Sequence, residues 1–400
     1  MTGETLRAQP ILSEGSPDGL RALQSHWEAE ETFAYIPEKS PVSISWITQC
    51  LNQLPEDYLQ GHFCLLTSGS TGDPKLVVGQ KQRSEKLAAV LHGVQQSEPV
   101  QETIVSLPLT YCYAFVNQWV WSRVMGRRLV PTPGFSRPDE FLKTLRGATD
   151  AMLCLIGPQV AFLTSMIGRE SFPGVIRLHF AGGRFPQERI PVLREMFPNA
   201  KIFNNYGCAE AMPRLTLRLA EEGDDAGDIG VPLPGVQLRT SETGDLFFLS
   251  EYRIVAQIDA AGFRVIADDE WIPSGDLACR REDSHWNLLG RRGDVFKRYG
   301  EKISVPQILA TVNEHWKGDV AHYRDKDSAG EDGYVLVLSP VPREDHIRSL
   351  LHAFRVSHTR THWPLRIESV ATLPLLANGK VNAFALRDTG EKFLHWRQRI

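Results

Sequence analysis

The sequence predicts an α/β protein whose larger, N-terminal part is built on a mostly parallel β-sheet. Between residues 62 and 204, short apolar and β-branched segments alternate with segments of helical periodicity, an order typical of parallel strands joined by helices. Strands and helices alternate again after residue 290, so a smaller α+β domain is expected there. A chain of 400 residues, 42 % hydrophobic and 23 % charged, is long enough for two such domains.

Each element of the N-terminal part follows from a local pattern. Runs of apolar and β-branched residues predict strands at His62–Thr67, Thr103–Leu107, Leu129–Pro131, Ala151–Ile156, Val175–Ala181 and Lys201–Phe203. The spacing of apolar residues predicts helices at Lys81–Val94, Pro138–Arg146, Gln159–Gly168 and Gln187–Met196. Residues 103–122 carry no charge, but polar side chains interrupt them, which favours a buried strand, a turn and a buried helix over a membrane span.

Two segments predict how the chain is divided. Short strands separated by turns over residues 227–289 indicate a small β subdomain. The charged segment 291–294 contains Gly293, which gives the backbone the freedom of a hinge. We therefore expect a first domain over residues 1–290 and a small mobile domain over residues 291–400.

Composition narrows the class of partner. A formal net charge of −4 without long runs of like charge gives no electrostatic case for nucleic-acid binding. The six cysteines have no spacing typical of zinc ligands, so we expect buried thiols in a reducing compartment. The first residues lack the basic and apolar pattern of a signal peptide. These features predict a cytoplasmic protein that acts on a small molecule, and they leave its oligomeric state open.

A glycine- and hydroxyl-rich loop follows the first strand of the alternating region. It reads Thr67-Ser68-Gly69-Ser70-Thr71-Gly72-Asp73-Pro74-Lys75. Glycines let backbone N–H groups approach anionic oxygens, hydroxyls donate hydrogen bonds, and a lysine adds a compact positive charge, so the loop is suited to phosphate. It is not a Walker A motif, because Pro74 separates Gly72 from Lys75 and Leu76 follows. On this motif alone, a Ser/Gly turn without a ligand is the alternative.

Five further segments follow this loop in order along the chain. They are Asn205-Tyr206-Gly207-Cys208-Ala209-Glu210, Gly227–Pro232, Ser274-Gly275-Asp276, Gly290-Arg291 with Lys297 and Gly300, and Leu373–Lys380. In the same order, these segments are similar to the Tyr-Gly-x-Thr-Glu segment, the Gly-x-x-Gly-x-Pro stretch, the Thr-Gly-Asp ribose turn, the hinge with its glycine loop and the C-terminal Pro…Gly-Lys segment of the adenylate-forming superfamily. That superfamily includes acyl-CoA synthetases, aryl acid ligases, peptide-synthetase adenylation domains and firefly luciferase. The chain resembles a compact member with a shortened N-terminal region, because only about 65 residues precede the phosphate loop.

The resemblance implies a ligase that joins a carboxylate to the α-phosphate of ATP and releases pyrophosphate. Lys380 would bridge the carboxylate and the α-phosphate, Glu210 would hold Mg²⁺, and Lys297 would serve the second half-reaction. The implied ATP-binding residues are Thr67, Ser68, Gly69, Ser70, Thr71, Gly72, Lys75, Gly182, Gly183, Arg184, Asn205, Tyr206, Gly207, Asp276 and Arg291. Taken alone, the turn around Lys380 also fits a surface turn, and Glu210 also fits the start of a helix.

The acid itself is less constrained by the motifs. Amino-acid-activating members carry an aspartate just after the Pro-Leu segment, and residues 111–116 contain none, which disfavours an α-amino acid. We therefore expect an acid with no charge other than its carboxylate. The candidate acid pocket is aromatic and suits an aryl or medium-length acyl group; it comprises Tyr111, Tyr113, Phe115, Trp119, Gly183, Phe203, Asn204, Cys208 and Met212. The alternative for each of these aromatics is a place in the hydrophobic core.

The acceptor would be the thiol of coenzyme A or of a carrier-protein phosphopantetheine, and an amine that captures the same adenylate is a second possibility. Three departures from the superfamily pattern bear on activity. Ala209 replaces the threonine before the metal glutamate, Tyr111 replaces a histidine, and Gly293 replaces a hinge aspartate. With the shortened N-terminal region, they leave open a third reading, a degenerate member that binds nucleotide without turnover.

Overall fold

The computed structural model divides the chain into two compact units. It describes residues 8–13, 17–38, 40, 42–68, 74–167, 170–183, 185–223, 225, 227–375, 381–388 and 390–398. The first unit contains Met1–Ser274 and Arg280–Asn287, and the second contains Gly275–Cys279 and Leu288–Ile400. The boundary expected at residue 290 stays a prediction, and each unit is described by itself.

The strands are numbered in chain order. They are β1 (Gln9–Ser13), β2 (Phe33–Pro37), β3 (His62–Ser68), β4 (Pro74–Gln80), β5 (Glu102–Val105), β6 (Arg128–Pro131), β7 (Ala151–Leu155), β8 (Val175–Phe180), β9 (Lys201–Tyr206), β10 (Thr216–Leu219), β11 (Asp228–Pro232), β12 (Val236–Thr240), β13 (Asp245–Ser250), β14 (Ala256–Asp259), β15 (Gly262–Val265), β16 (Ile272–Arg280), β17 (Trp286–Arg291), β18 (Val295–Arg298), β19 (Glu301–Ser304), β20 (Asp319–Lys326), β21 (Asp332–Ser339), β22 (Arg366–Ser369) and β23 (Phe393–Arg397).

The α-helices are α1 (Pro17–Glu28), α2 (Ile44–Leu51), α3 (Lys81–Val94), α4 (Cys112–Ala114), α5 (Trp121–Val124), α6 (Pro138–Arg146), α7 (Gly157–Ile167), α8 (Ile190–Met196), α9 (Val305–His315), α10 (Glu344–Ser357) and α11 (Ala383–Asp388). A π-helical segment, Phe115–Val120, joins α4 to α5. Short 3₁₀ turns lie at Glu56–Tyr58, Gly134–Ser136, Gln187–Arg189, Ala209–Ala211, Ala220–Glu222, Arg292–Asp294 and Arg360–His362.

The α/β class predicted from the sequence is confirmed by the larger of the two main sheets. Strands β9, β8, β7, β5 and β6 lie side by side in parallel, and α6, α7 and α8 follow individual strands of this block. The uncharged stretch 103–122 forms strand β5, a turn and the buried α4, π-helical and α5 segments, as expected. One face of the parallel block carries a core that includes Leu153, Leu178 and Ile202.

The second main sheet has the strand order β1-β2-β3-β4-β14-β15. The first three strands are parallel, and β4 turns back antiparallel to β3. No strand was expected after the phosphate loop, although residues 76–78 are apolar and two of them are β-branched. Strand β4 therefore makes the loop the connection of a β-hairpin.

The segment expected to form a small β subdomain, residues 227–289, is rich in strands but does not form a sheet of its own. Strands β11, β12, β13, β16 and β17 continue the large sheet, whereas β14 and β15 extend the six-stranded sheet. An isolated hairpin is marginally stable in water, so short strands gain stability by pairing with a larger sheet.

The second unit contains a two-stranded sheet and a four-stranded sheet of order β20-β21-β22-β23. Side chains of β21 alternate between two cores: Tyr334 and Leu336 pack with residues of α9 and α10, and Val335 and Val337 pack with Leu386 of α11. Both faces of this sheet are therefore covered within the unit.

Candidate active site

The phosphate-loop motif connects β3 to β4, and the hairpin fixes the side chains at its two ends. Thr67 pairs with Lys75 across the ladder. The Thr67 hydroxyl is buried and has no hydrogen-bond partner among the described residues, so a donor of the motif is held ready for an acceptor. Residues 69–73 of the loop lie outside the described residues.

Glu210 is placed by the chain that follows β9. Strand β9 ends at Tyr206, and Glu210 lies in the 3₁₀ turn Ala209–Ala211. Gly207 is required between them, because a Cβ at this position would lie 1.9 Å from the carbonyl oxygen of Pro213. The backbone oxygen of Glu210 accepts a hydrogen bond from Ile254 N at 3.0 Å, which anchors the turn.

Lys75 and Glu210 meet in an ion pair. Lys75 Nζ lies 2.5 Å from Glu210 Oε1, and the two side chains are 16 % and 23 % exposed. Burial by itself would raise the pKa of Glu210, but the hydrogen bond and positive charge of Lys75 outweigh it and hold that pKa below its ordinary value. The carboxylate is thus ionised at neutral pH, which is the form that a hard cation such as Mg²⁺ requires.

The predicted nucleotide turn lies after β8. Gly182 has a φ of +79°, a conformation that favours glycine, and both Gly182 and Gly183 are exposed. Tyr206, one of the residues expected to bind ATP, is buried. Several residues implied by the resemblance lie outside the described residues, namely residues 69–72, Arg184 and Lys380. The side chain of Ser68 is not described either.

Two residues expected in the acid pocket pack against other aromatic side chains. Phe115 stacks on Phe63 with ring centroids 5.1 Å apart, and Trp119 meets Trp27 edge-on at 5.1 Å. Both Phe115 and Trp119 are buried. These contacts fit the core alternative for both residues, and their place in the acid pocket stays a prediction.

The remaining pocket candidates differ in exposure. Phe203 is buried with its ring stacked on His179 at 5.0 Å, and the Asn204 side chain donates to the Asp228 carbonyl oxygen at 2.9 Å. Met212 is buried, whereas Tyr111, Tyr113 and Cys208 are half-buried. The half-buried residues are those that a substrate could reach without repacking the core.

Asn205, expected to bind ATP, lies in a buried polar cluster that sequence reasoning missed. Its Oδ1 accepts a hydrogen bond from Arg214 Nη2. Arg214 Nη1 donates to Asn117 Oδ1 at 3.2 Å. With the Gln95 amide flipped, which is the orientation that satisfies both of its atoms, its oxygen accepts from both terminal nitrogens of Arg214 at 3.2 and 3.3 Å. Arg214, Asn117, Asn205 and Gln95 are all buried. Within the described residues, no carboxylate pairs with Arg214.

Asp276 and Arg291, the predicted ribose contacts, form an ion pair in the second unit. Arg291 Nε lies 3.1 Å from Asp276 Oδ1, with side-chain exposures of 59 % and 6 %. Gly290 has a φ of +133°, and a Cβ there would lie 2.2 Å from Pro306 Cγ, so this position of the hinge motif needs glycine. Lys297 is exposed on β18, opposite Lys302 of β19.

The chain resembles known proteins in sequence and in fold. The family model described as AMP-binding enzyme matches residues 37–245. The non-ribosomal peptide synthetase CmlP of Streptomyces venezuelae is 23 % identical over 345 residues, which cover 82 % of this chain and 34 % of that protein. The 2-succinylbenzoate–CoA ligase of Bacillus pumilus is 25 % identical over 351 residues, which cover 82 % of this chain and 68 % of that protein.

A solved structure, a substituted MenE of E. coli with bound OSB-AMS, has a TM-score of 0.75 and 18 % identity and covers 96 % of this chain and 88 % of that one; at this identity it shows the fold. The chain spans about a third of the length of CmlP. Of the helices that the structure describes, none is long and apolar enough to cross a membrane. Since the family model matches more than half of the residues, the chain belongs to the AMP-binding enzyme family, the adenylate-forming superfamily that its motifs resemble.

Proposed function

We propose that this chain activates an aryl or acyl carboxylic acid, rather than an α-amino acid, as its acyl-adenylate, with ATP as the second substrate. The observation that carries the proposal is the contact of Lys75 with Glu210. It brings the end of the phosphate-loop motif and the Tyr-Gly-x-x-Glu motif, which lie 135 residues apart in the chain, to one point. A flexible cation and a divalent-cation ligand at one point suit a polyphosphate substrate.

The described residues fit ATP and Mg²⁺. The Thr67 hydroxyl and the Lys75 ammonium would bind phosphate oxygens, and Glu210 would hold the ion together with phosphate oxygens, as is usual for Mg²⁺. When bound, the ion offsets negative charge on the phosphates. Lys380 would add positive charge between the attacking carboxylate and the α-phosphate, where the charges of the two reactants repel each other.

The acceptor we propose is a thiol, either of coenzyme A or of a carrier-protein phosphopantetheine. An acyl-adenylate is already activated, so the chain needs no covalent nucleophile of its own. Support comes from the names of the relatives, since one is a CoA ligase and another a peptide synthetase. Lys297, exposed on β18, would serve this second step. Residues 291–400 would act as a mobile lid.

A cytoplasmic location is part of the proposal. Six cysteines are free thiols, and Cys50, Cys64, Cys112 and Cys154 are buried. Unpaired buried thiols suit a reducing compartment.

A member that binds nucleotide without turnover is the second candidate function. Ala209 favours it, because the residue before Glu210 offers no hydroxyl to the phosphates. Against it stands the ion pair of Lys75 and Glu210, which retains two charged groups that turnover would use.

The test is acid-dependent exchange between ATP and labelled pyrophosphate over benzoic, cinnamic, fatty and amino acids. We expect exchange with aryl or acyl acids and its loss, by about 100-fold or more, in Lys380→Ala and Glu210→Gln, since each removes a charge acting on the transition state. Arg343→Ala, an exposed residue of the second unit, is the matched control and should retain full exchange.

Three outcomes separate the candidates. Exchange that depends on Lys380 supports adenylation. ATP binding without exchange for any acid supports the non-catalytic candidate. Hydroxamate or amide products with amine acceptors, and none with coenzyme A or a carrier protein, would replace the thiol with an amine as acceptor.

A further inference from the structure

The buried polar cluster around Arg214 has unsatisfied donors that point to a missing acceptor. Its terminal nitrogens are met by the amide oxygens of Asn117, Asn205 and Gln95. Its Nε is buried and has no hydrogen-bond partner among the described residues, and the same is true of Asn117 Nδ2. Buried donors are nearly always satisfied in folded proteins, so each exception calls for an explanation.

His179 adds a third donor to this cluster. Its Nδ1 lies 3.5 Å from Asn205 Nδ2, and because Asn205 uses its oxygen for Arg214, that amide nitrogen donates to the ring. Burial and the positive charges of Arg214 and Arg177 hold the pKa of His179 well below its ordinary value, so the ring is neutral and its proton lies on Nε2. That Nε2 is also buried and unpartnered within the described residues.

The charge of the cluster agrees with its donors. Burial lowers the pKa of the Arg214 guanidinium to about 10, so it remains positive at neutral pH, while His179 is neutral. Within the described part of the chain, no carboxylate contacts Arg214. A buried cation surrounded by free donors lacks an anionic acceptor, and a carboxylate supplies several lone pairs to such a set.

The nearby Arg177 is a second buried guanidinium in this region. Its guanidinium donates to three backbone carbonyl oxygens, those of Gln95, Gln96 and Ile176. Two of these oxygens lie just after the C-terminus of α3, where a positive charge is favourable. Arg177 therefore has a structural role that accounts for its charge, and Arg214 has none of this kind.

The cluster adjoins the predicted acid pocket through Tyr113. The buried Tyr113 hydroxyl interacts with Cys154 and Asn205, and the charge of Arg214 acts on it, although the residue as a whole is half-buried. Tyr113 thus links the cluster to the predicted acid pocket.

We propose that the acid activated by this chain carries a second carboxylate, bound by Arg214, Asn117 and His179. The proposal rests on the proposed function and replaces the expectation that the acid has no charge beyond its reacting carboxylate. It agrees with the expectation that α-amino acids are disfavoured, because a cationic group close to Arg214 would be repelled.

The experiment compares matched acids: terephthalate with benzoate, 4-carboxycinnamate with cinnamate, and adipate with hexanoate. In wild type, we expect kcat/KM for ATP–pyrophosphate exchange to be at least about 100-fold higher for the preferred diacid than for its monoacid, since a buried polar site rejects ligands that leave it unpaired. The preferred diacid should also raise the melting temperature in the absence of ATP.

Three variants locate the effect. Arg214→Met should remove the preference for the diacid and its thermal stabilisation. Asn117→Asp places a carboxylate beside Arg214, so it should raise the melting temperature of the protein and also remove the preference. Arg177→Gln removes a buried guanidinium that donates to backbone carbonyl oxygens and leaves Arg214 and Asn117 in place, so it should keep the preference.

Each outcome decides between the readings. Equal use of diacid and monoacid by wild type, or a preference that survives in Asn117→Asp, overturns the second-carboxylate proposal and leaves the proposed function standing. Silence with both members of every pair, with ATP still bound, overturns both. Because Asn117→Asp should fold even if Arg214→Met does not, the test does not depend on a single variant.

Discussion

Arg214 in the first unit and Arg298 in the second are both buried guanidinium groups, and they are stabilised in different ways. Arg298 Nη2 lies 3.2 Å from Asp327 Oδ2, with both side chains at most 2 % exposed, and its Nη1 donates to the carbonyl oxygens of Thr361 and Trp363. Arg214 meets only neutral amide oxygens within the described residues. The Nε of both residues is buried without a partner among the described residues, so the difference lies in the counter-ion: a buried charge with a carboxylate beside it is a structural pair, whereas a buried charge without one indicates a site for a ligand.

The largest expected effect is that of Arg298→Met. It leaves Asp327 buried without its cation, and we expect the second unit to lose about 3–5 kcal/mol of unfolding free energy. Hydrogen exchange of the β21 amides, whose protection reports on that unit, measures the loss. A loss under about 1 kcal/mol would contradict the assigned role of the pair.

The same change at Arg214 should cost less. Arg214→Met removes hydrogen bonds to neutral amides but also removes an uncompensated buried charge, so we expect a loss of about 1–2 kcal/mol. Hydrogen exchange of the β8 and β9 amides gives the value for the first unit. A loss of unfolding free energy equal to that of Arg298→Met would mean that Arg214 stabilises the fold as much as Arg298 does, which would contradict its assignment to a ligand site.

Lys75→Met tests a pair of intermediate burial, and we expect a loss on the order of 1 kcal/mol of unfolding free energy. In wild type the pKa of Glu210 is depressed, so the pair stabilises the protein above the ordinary glutamate pKa of about 4.3 and loses that stability as the pH falls through the lower folded-state value. Without Lys75, burial dominates and the pKa of Glu210 should rise above 4.3, so stability should instead fall as the pH rises through it.

The titration of Glu210 is measured in wild type and in Lys75→Met from its carboxyl ¹³C chemical shift between about pH 2 and pH 8. Lys86→Met, which removes an exposed partner of Glu251, is the control and should leave the Glu210 titration unchanged. An unchanged midpoint in Lys75→Met would show that Lys75 does not set this pKa.

The smallest effect is expected for Arg343→Met. Arg343 pairs with Asp345 at 2.9 Å, but the two side chains are 75 % and 62 % exposed. Solvent screens such pairs, so the unfolding free energy should change by less than about 0.5 kcal/mol. The loss of unfolding free energy should therefore decrease in the order Arg298→Met, Arg214→Met, Arg343→Met. Any other order in the hydrogen-exchange measurements would contradict the roles assigned to burial and counter-ion.

The candidate site was predictable where a motif carries the chemistry. Lys75 and Glu210 were both named from the sequence, and the structure brings them into contact. The role of each remains a prediction. Phe115 and Trp119 were placed in the acid pocket, yet they pack on Phe63 and Trp27. An aromatic side chain suits either place, and the choice depends on which distant residues fill the neighbouring space.

Arg214 could not be selected from the sequence. It stands between an αL residue and β10, with no motif around it that implies a ligand. Its partners Asn117 and Gln95 lie 97 and about 120 residues away, on elements that pattern analysis places only as helices. One feature of the sequence could have drawn attention to it: Arg214 is the only charged residue of the mostly apolar segment Met212–Leu217.

The alternation of strands and helices, the order of the superfamily motifs and the residue types of the phosphate loop follow from the sequence alone, because they depend on local spacing and side-chain chemistry. Only the folded structure shows that β4 closes the loop into a hairpin, that the strands of residues 227–289 join two sheets, and that the partners of Arg214 among the described residues are neutral amides. Such contacts depend on which elements become neighbours when the sheets assemble. That order is set by the packing of the whole unit, and no local segment encodes it.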